Sequence, residues 1–400
     1  MNTEELRIAA ATYGTPTYIF DVREVEARIR LLRSLLPEGT GLCFAVKANP
    51  FLIPYVADMV DRLEVCSPGE YEICIQEQIA PEKIVVSGVN KTYESMKRIL
   101  SYSKGAGIYT IESEEHAKIL RTLAEKNQMQ LSVLIRLSSG NQFGVDAETF
   151  IRLAKEVQES PYLTLAGVHY YAGTQKRQSK LEKEMDTLAA LAETFEAETG
   201  MKLQELEYGA GMKVSYFVND SEKDQRESEP EPQIQALAEK LRTCAYGKKT
   251  IELGRFLVSM SGYYLTRVMD VKRTAQTGFV ILDGGIHQIN YYGWMMGMKQ
   301  PEIKVLAEKD SDAGELFHLC GSLCTVNDVL ARDVTLHNPE KGDVICFKRC
   351  GAYAATEGMA MFLSRELPQV LICRTDGKIE KLRDRVETYP FHGSGNWNRM

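Results

Sequence analysis

Residues 41–50 read GLCFAVKANP. This stretch opens with a short apolar run, which is typical of a strand covered on both faces, as in parallel sheets. The run closes at Lys47, after which Asn49 and Pro50 predict a turn. Barrel enzymes carry their catalytic groups at this carboxyl end of a strand. The stretch therefore indicates either a functional lysine in an apolar setting or a strand-end lysine that extends its ammonium into solvent.

Seven similar apolar runs follow, and amphipathic stretches separate them. Apolar residues in these stretches recur at three- and four-residue steps, which predicts helices. Parallel strands need crossover helices, so eight alternating strands predict a (β/α)8 barrel of the TIM type. A doubly wound sheet fits the same alternation. The eight predicted strands span residues 41–46, 62–66, 83–88, 107–111, 131–137, 163–171, 203–209 and 248–253.

Helical periodicity fades after residue 260, where strand-like runs are joined by Gly, Asn and Asp turns. This pattern predicts a second, all-β domain, and we assign the strand-like segment TPTYIFDV (15–22) to it. The fold class is therefore α/β plus all-β, with two domains. They are a barrel over residues 24–260 and a C-terminal β domain that takes residues 1–23 together with 261–400.

The chain has 400 residues, a net charge of −7 and nine cysteines. The negative charge argues against nucleic-acid binding, which needs a basic footprint. An apolar run of about 18 residues and a secretory signal layout are both missing, so we expect neither a membrane span nor export. Scattered cysteines are typical of reduced thiols in a cytoplasmic protein. The six histidines lack the spacing of a zinc site, and no metal is expected.

The segment FAVKANP (44–50) resembles the pyridoxal-phosphate attachment motif of the alanine-racemase-fold decarboxylases, which include the diaminopimelate, ornithine and arginine decarboxylases. Further motifs of that family recur in order along nearly the whole chain. The resemblance implies pyridoxal 5'-phosphate as cofactor and decarboxylation of an amino-acid-type substrate. It also implies an alanine-racemase-like barrel followed by a β-sandwich or β-barrel domain. The further motifs are TPTYIFD (15–21), EVCSPGE (64–70), SGVNK (87–91), GVHYYAGTQ (167–175), YGAGM (208–212), IELGR (251–255), LCTVND (323–328) and GAY (351–353).

The family's cofactor residues carry over onto matching positions of this chain. Lys47 is expected to attach the cofactor covalently. Gly209 and Gly211 in YGAGM would let backbone N–H groups approach its phosphate. Glu252 in IELGR falls beside the pyridine nitrogen, where a carboxylate keeps the ring protonated and able to accept electrons. Arg255 from the same motif falls near the phosphate.

Three ring-bearing side chains complete the implied cofactor pocket. Tyr353 in GAY carries over as a phosphate ligand from the β domain. His169 is the first residue of the family's His-x-His pair. Tyr171 replaces the second histidine, which stacks on the cofactor ring, and a tyrosine can still lie flat on the pyridine.

The family's proton donor corresponds to Cys324. In the family this cysteine reaches into the partner subunit's site and protonates the carbon left by loss of CO2, a step that suits a thiol. The resemblance thus implies a homodimer with shared active sites. Arg136 and Glu70 resemble positions in the wall of the site, and we expect Arg136 to contact the substrate.

The residue after Cys324 bears on the substrate. Thr325 replaces the Glu or Asp that grips the substrate's distal ammonium in the diaminopimelate and ornithine enzymes, and it cannot supply that counter-charge. We therefore expect an acidic, neutral or conjugated small-molecule or carrier-protein-linked substrate in a specialised pathway such as siderophore or antibiotic assembly. HYYAGTQ and LCT together resemble the branch that includes the glutamyl-carrier-protein decarboxylase of aminoglycoside assembly, and LCT also resembles the citryl-diaminopropionate decarboxylases of siderophore pathways. Alternatives are diaminopimelate or basic amino-acid decarboxylation, racemisation, and a non-catalytic regulatory relative.

Overall fold

The computed structural model describes residues 1–291, 296–307 and 314–394. It divides the chain into two compact units, which we name the barrel unit and the sheet unit. The barrel unit comprises Arg28–Val214 with Arg226–Leu257. The sheet unit comprises Met1–Ala27, Ser215–Gln225 and Val258–Met400. We number strands and helices in chain order.

Eight parallel strands of the barrel unit form a closed barrel. They are β2 (Gly41–Ala45), β3 (Arg62–Val65), β4 (Ile84–Val86), β5 (Ile108–Ile111), β6 (Leu131–Arg136), β7 (Leu163–Tyr171), β8 (Glu205–Gly209) and β9 (Lys248–Leu253). Each strand pairs with the next along the chain, and β2 pairs with β9 so that Cys43 lies opposite Glu252. The closed barrel confirms the predicted (β/α)8 architecture, because a doubly wound sheet stays open.

Amphipathic helices alternate with the barrel strands. The helix over 147–159 shows the pattern: its buried residues include Phe150, Leu153 and Val157, which recur at three- and four-residue steps. Polar side chains cap the start of several of these helices, as where Ser113 accepts the backbone N–H of His116. The helices of the chain are α1 (Thr3–Tyr13), α2 (Val22–Leu35), α3 (Ile53–Val56), α4 (Pro68–Gln76), α5 (Tyr93–Ser103), α6 (Glu114–Asn127), α7 (Ala147–Glu159), α8 (Gln178–Thr199), α9 (Glu222–Glu227), α10 (Pro230–Thr243) and α11 (Arg255–Val258).

Strands β7 and β8 approach each other closely where their pairing begins, at Gly167 and Glu205. A Cβ on Gly167 would lie 1.9 Å from the carbonyl oxygen of Glu205, so only glycine fits there. The pairing then runs in register to the carboxyl end, where Tyr171 lies opposite Gly209. This register places the Tyr171 ring of β7 beside the glycine turn that follows β8.

Among the described residues of the sheet unit, nine strands form one mixed sheet. They are β1 (Thr17–Asp21), β10 (Gly262–Arg273), β11 (Gly278–Leu282), β12 (Ile303–Val305), β13 (Glu315–Cys320), β14 (Val329–Leu336), β15 (Val344–Lys348), β16 (Gln369–Cys373) and β17 (Ile379–Arg383). Their order is β14-β13-β11-β10-β1-β16-β17, and β15 pairs with both β10 and β12. This unit confirms the predicted strand-rich partner of the barrel.

The N-terminal segment contributes a strand and a helix to the sheet unit. β1 pairs antiparallel with β10 and parallel with β16. Helix α1, which the sequence pattern did not predict, packs Leu6, Ala9 and Ala10 into an apolar core shared with Ile19 of β1. Burial of this apolar face holds the segment on the sheet.

The described residues include no helix with the length and apolar character needed to span a membrane. All nine cysteines are free thiols. Most of them are buried or half-buried, whereas Cys324 is exposed.

Candidate active site

Lys47 lies at the carboxyl end of β2, in a short 3-10 turn over Val46–Ala48. Its ammonium donates to Glu64 Oε2 at 2.7 Å and lies 3.7 Å from Glu252 Oε1. Both carboxylates are buried, whereas a third of the Lys47 side chain is exposed. The lysine is therefore a charged amine fixed between two strands of the barrel, with one side open to a ligand.

Glu252 forms the second half of this arrangement at the end of β9. His169 Nε2 lies 2.9 Å from Glu252 Oε2, within hydrogen-bond distance. Burial raises the pKa of Glu252, but the Lys47 charge and the His169 hydrogen bond outweigh it and lower that pKa below its usual value. Glu252 is consequently an ionised carboxylate in the barrel interior, ready to hold a proton on a basic ring nitrogen.

One group in the barrel interior has the spacing of metal ligands. Ligand atoms of His169, Glu207 and Glu252 all lie within 4.8 Å of one another. Arg62 Nη1, however, lies 2.7 Å from Glu207 Oε2, and the Lys47 ammonium stands beside Glu252. These two fixed positive charges neutralise the carboxylates and oppose a cation there.

Glu64 and Cys66 beside Lys47 were not singled out from the sequence. Cys66 Sγ lies 2.9 Å from Glu64 Oε1 and 3.5 Å from the Lys47 ammonium. Glu70, from the same motif, accepts the backbone N–H of Cys66 at 2.6 Å and so shapes the loop after β3. The sequence signal for Glu64 was its position in a strand that ends beside the β2 lysine.

Arg136 ends β6 and pairs with another buried carboxylate of the barrel. Its Nη1 donates to Glu112 Oε2 at 3.0 Å, and its guanidinium lies 4.8 Å from the Phe143 ring centroid. Lys91 approaches the same carboxylate at 3.5 Å and donates to the Thr110 hydroxyl at 3.0 Å. Burial lowers the pKa of Lys91 to about 8, against the opposing attraction of Glu112.

The YGAGM turn after β8 needs both of its glycines. A Cβ on Gly209 would lie 2.4 Å from Tyr171 Cδ2, so the tyrosine ring packs directly on the bare backbone. Gly211 has a φ of +57°, and a Cβ there would lie 2.2 Å from the Gly173 carbonyl oxygen. The Tyr171 ring centroid also lies 6.0 Å from the Lys47 ammonium. Ring, turn and lysine thus share one end of the barrel.

Lys176 is a buried cation beside this turn that the sequence analysis missed. Its ammonium donates to Glu184 Oε2 at 2.7 Å and to the Gly209 carbonyl at 2.9 Å. Burial lowers the pKa of Lys176, while the Glu184 carboxylate opposes that change. The sequence offered no local signal, because Glu184 and Gly209 reach Lys176 only through the fold.

The structure brings together six of the residues expected to hold a cofactor. Two further expected residues lie at or just after the ends of barrel strands. Arg136 is the last residue of β6, and Arg255 begins α11 two residues after β9 ends. The remaining expected residues, Cys324, Thr325 and Tyr353, belong to the sheet unit. The six residues at the barrel end are Lys47, His169, Tyr171, Gly209, Gly211 and Glu252.

The LCTVND turn of the sheet unit is organised by Asp328. Its Oδ2 accepts the backbone N–H of Leu323 at 2.7 Å, and its Oδ1 accepts that of Ile286 at 2.8 Å. Cys324 is exposed within this turn. Tyr353 adopts a φ of +64°, a backbone conformation that non-glycine residues seldom take.

The barrel site fits a pyridoxal cofactor group by group. Lys47 offers an amine for an aldehyde, and Glu252 offers an ionised partner for a pyridine nitrogen. Tyr171 offers a flat ring, and it packs directly on the bare backbone of Gly209, next to a glycine turn whose backbone N–H groups suit a phosphate. A barrel carrying this set belongs to the class of pyridoxal-dependent enzymes.

A family model described as "Pyridoxal-dependent decarboxylase, pyridoxal binding domain" matches residues 22–259. The chain belongs to this family. It is a carboxy-lyase whose cofactor is pyridoxal phosphate.

Two curated relatives extend the likeness along most of the chain. The L-glutamyl-[BtrI acyl-carrier protein] decarboxylase of Niallia circulans is 26% identical over 413 residues, covering 96% of this chain and 94% of the relative. The diaminopimelate decarboxylase of Actinosynnema pretiosum subsp. auranticum is 31% identical over 366 residues, covering 86% and 80%.

A solved structure shares the fold. Diaminopimelate decarboxylase from Helicobacter pylori, complexed with L-lysine, superposes with a TM-score of 0.82 at 22% identity. The match covers 97% of this chain and 98% of that chain.

Proposed function

We propose that this enzyme decarboxylates an amino acid whose far end is acidic, neutral or conjugated to a carrier, within a specialised pathway such as siderophore or antibiotic assembly. The observation that carries the proposal is Thr325, which follows Cys324 in the exposed turn of the sheet unit. A threonine hydroxyl cannot balance the charge of a distal ammonium, and a buried ammonium without a counter-charge binds poorly.

One relative supports a conjugated substrate. The N. circulans enzyme is named for an L-glutamyl group on an acyl-carrier protein, and its match spans 96% of this chain. A carrier-linked glutamyl group bears no distal ammonium, which agrees with a threonine at position 325. The proposed substrate class therefore includes both free small molecules and carrier-bound aminoacyl groups.

The chain's own residues divide the work of the reaction. Lys47 would hold the cofactor through its amine, which Glu64 keeps in place by a hydrogen bond. Glu252, kept ionised by Lys47 and His169, would hold a proton on the ring nitrogen. When bound, the cofactor draws electron density from the substrate's α-carbon as CO2 leaves.

Further residues bind the phosphate and complete the site. Backbone N–H groups of the Gly209–Gly211 turn and the side chain of Arg255 would bind the phosphate group, and the family resemblance implies Tyr353 as a further phosphate ligand. Cys324 of the partner subunit returns a proton to the α-carbon. A site that needs residues of two chains requires a homodimer, and we propose an isologous one.

A substrate panel tests the proposal. Release of CO2 is measured with meso-diaminopimelate, ornithine, lysine, glutamate and a glutamyl group on an acyl-carrier protein. We expect turnover of an acidic or carrier-linked substrate and none above background for the three that carry a distal ammonium. Efficient turnover of any of those three by the wild-type enzyme contradicts the proposal.

A pair of variants tests the role of position 325 itself. Thr325→Glu restores a carboxylate after Cys324 and is expected to create measurable activity on at least one distal-ammonium substrate. Val326→Glu is the matched control, since it adds the same charge one residue away on a side chain that is 90% exposed. If both variants gain the same activity on these substrates, or if neither gains any, the residue at position 325 does not determine substrate choice.

A second candidate is diaminopimelate decarboxylation in lysine biosynthesis. The relative from A. pretiosum, at 31% identity, carries that name and favours it. High turnover of meso-diaminopimelate in the same panel would establish this candidate in place of the first.

A further inference from the structure

Lys176 is a fully enclosed cation at the cofactor end of the barrel. Its side chain is 2% exposed, and Glu184 on α8, which receives one of its hydrogen bonds, is 5% exposed. The Tyr208 hydroxyl donates to the same Glu184 oxygen at 2.6 Å. A buried lysine and carboxylate are retained only where good hydrogen bonds satisfy both, so this group is a built feature.

Lys176 is bonded to both glycines of the turn after β8. Its ammonium donates to the Gly209 carbonyl at 2.9 Å, and its backbone N–H donates to the Gly211 carbonyl at 2.9 Å. A Cβ on Gly211 would lie 2.8 Å from Lys176 Cε, so the lysine stem packs against the turn. Lys176 of the β7–α8 loop therefore holds the turn at both of its glycines.

Lys176 also contacts the ring that packs on Gly209. Its ammonium lies 5.5 Å from the Tyr171 ring centroid and 5.1 Å from the Tyr208 ring centroid. Both distances lie within the range of cation–π attraction. Lysine, glycine turn and tyrosine ring thus form a single packed group, and each member limits the movement of the other two.

We propose that Lys176 is a positioning residue for the cofactor: it holds the Gly209–Gly211 turn and the Tyr171 ring in the arrangement that receives the phosphate and the pyridine. The inference rests on the proposed assignment of the cofactor to this end of the barrel. Lys176 acts through the turn and the ring, since its ammonium is already bonded to Glu184 and Gly209.

The test compares the buried Lys176–Glu184 pair with a partly buried ion pair of the same unit. Lys176→Met with Glu184→Gln removes both charges and leaves an acceptor for the Tyr208 hydroxyl. Lys213→Met with Glu227→Gln is the control. The Lys213 ammonium lies 2.9 Å from Glu227 Oε2, and Lys213 follows the same glycine turn in the chain. Equilibrium titration of the apoenzyme with pyridoxal phosphate, read from its visible absorbance, gives the dissociation constant. Thermal melting of each apoenzyme reports folding.

We expect the Lys176 pair to raise the dissociation constant about tenfold, since a charge-assisted hydrogen bond and a cation–π contact are lost together. The Lys213 pair should bind the cofactor as the wild type does. In a double-mutant cycle, Tyr171→Leu should reduce the effect of the Lys176 pair, because the two side chains act on the same group. Lys176→Arg, which keeps the charge, should recover part of the affinity.

Three results would overturn the proposal. They are wild-type affinity in the folded Lys176 variant, an equal loss in the Lys213 control, and strict additivity with Tyr171→Leu. If the Lys176 variant does not fold, Tyr208→Phe removes one support of Glu184, and unchanged affinity there also contradicts the proposal. A wild-type chain that fails to bind the cofactor through Lys47 would instead refute the site assignment itself.

Discussion

The ammonium of Lys47 lies 2.7 Å from Glu64 Oε2 and on its other side 3.7 Å from Glu252 Oε1. Two neighbouring strands of the barrel, β3 and β9, hold these carboxylates on either side of β2. The lysine is therefore fixed in direction before any ligand arrives. A reactive group that is already oriented loses little freedom when its reaction begins.

Replacement of Lys47 tests the attachment directly. Lys47→Ala should abolish decarboxylation and remove the cofactor–protein bond, which reduction with borohydride followed by peptide mass spectrometry detects. Lys83→Ala is the control, because its side chain has almost the same exposure, 34% against 33%, and lies away from the carboxylate pair. A reduced cofactor found on any other lysine of the wild-type enzyme contradicts the assignment.

Replacement of Glu252 separates chemistry from binding. Glu252→Gln keeps the size of the side chain but cannot hold a proton on the ring nitrogen, so kcat should fall about 100-fold or more. Cofactor affinity should change much less, because the amine and the phosphate contacts remain. Stopped-time assays of CO2 release at saturating substrate give kcat, and an unchanged value would exclude the proposed role.

The glycine turn gives a prediction with a matched control. Gly211→Ala should weaken cofactor binding, since its φ is +57° and its Cβ would approach the Gly173 carbonyl oxygen to 2.2 Å. Gly200→Ala places the same strain, at a φ of +71°, where no other atom lies within 4 Å. Both variants should lose about 1–3 kcal/mol of unfolding free energy. Only Gly211→Ala should raise the dissociation constant of pyridoxal phosphate; equal affinities would contradict this.

His116 predicts a loss of stability in mild acid. Burial and the nearby Lys91 lower the pKa of His116 from 6.5 to about 4. Between these values the unfolded chain binds a proton that the folded chain does not, so unfolding free energy falls as pH drops from 6.5 to 4. The slope is up to about 1.4 kcal/mol per pH unit for one such group. Protonation also disturbs the hydrogen bond from the Glu112 backbone N–H to His116 Nδ1.

Urea unfolding at several pH values measures this slope. His116→Gln should flatten it between pH 6.5 and 4, whereas His337→Gln, on an exposed ring of the sheet unit, should leave it unchanged. A wild-type slope that survives His116→Gln would assign the acid sensitivity to other groups. His287, whose pKa burial also lowers to about 4, is the next candidate.

Shared active sites predict complementation between inactive variants. Lys47→Ala and Cys324→Ala should each be inactive or nearly so as pure dimers. Mixing them after dissociation should restore about a quarter of wild-type activity, because about half of the dimers are mixed and each holds one complete site. A chain carrying both substitutions, mixed with Lys47→Ala, should restore none. Failure of the first mixture to regain activity despite verified subunit exchange would rule out sharing.

The sequence pattern alone predicted the barrel strands but did not decide whether they close into a barrel. Eight apolar runs alternating with amphipathic stretches predicted the strands of the barrel, and β2 begins at Gly41 as its run does. The alternation left an open sheet possible, since closure depends on pairing of β2 with β9, which no local pattern encodes. Helix α1 was missed because its three small or apolar buried residues give a weak amphipathic pattern.

Site residues that stand in family motifs were predictable from the sequence. Site residues whose role depends on contacts between distant parts of the chain were not. Lys47 and Glu252 stand in recognisable motifs that are 205 positions apart in the numbering. The structure places the Lys47 ammonium 3.7 Å from Glu252 Oε1. Lys176 instead follows a polar turn and reads as a solvent-facing residue. Its burial depends on Glu184 and Gly209, which only the packing of α8 against the barrel supplies.

The thiol beside Lys47 makes the empty enzyme chemically distinguishable. Cys66 Sγ lies 3.5 Å from the Lys47 nitrogen. Aromatic dialdehydes such as o-phthalaldehyde join a neighbouring amine and thiol into a fluorescent isoindole. A lysine already bonded to its cofactor cannot take part, so fluorescence would count the vacant subunits in a preparation. The Lys47–Cys66 pair would thus report by fluorescence which subunits lack the cofactor.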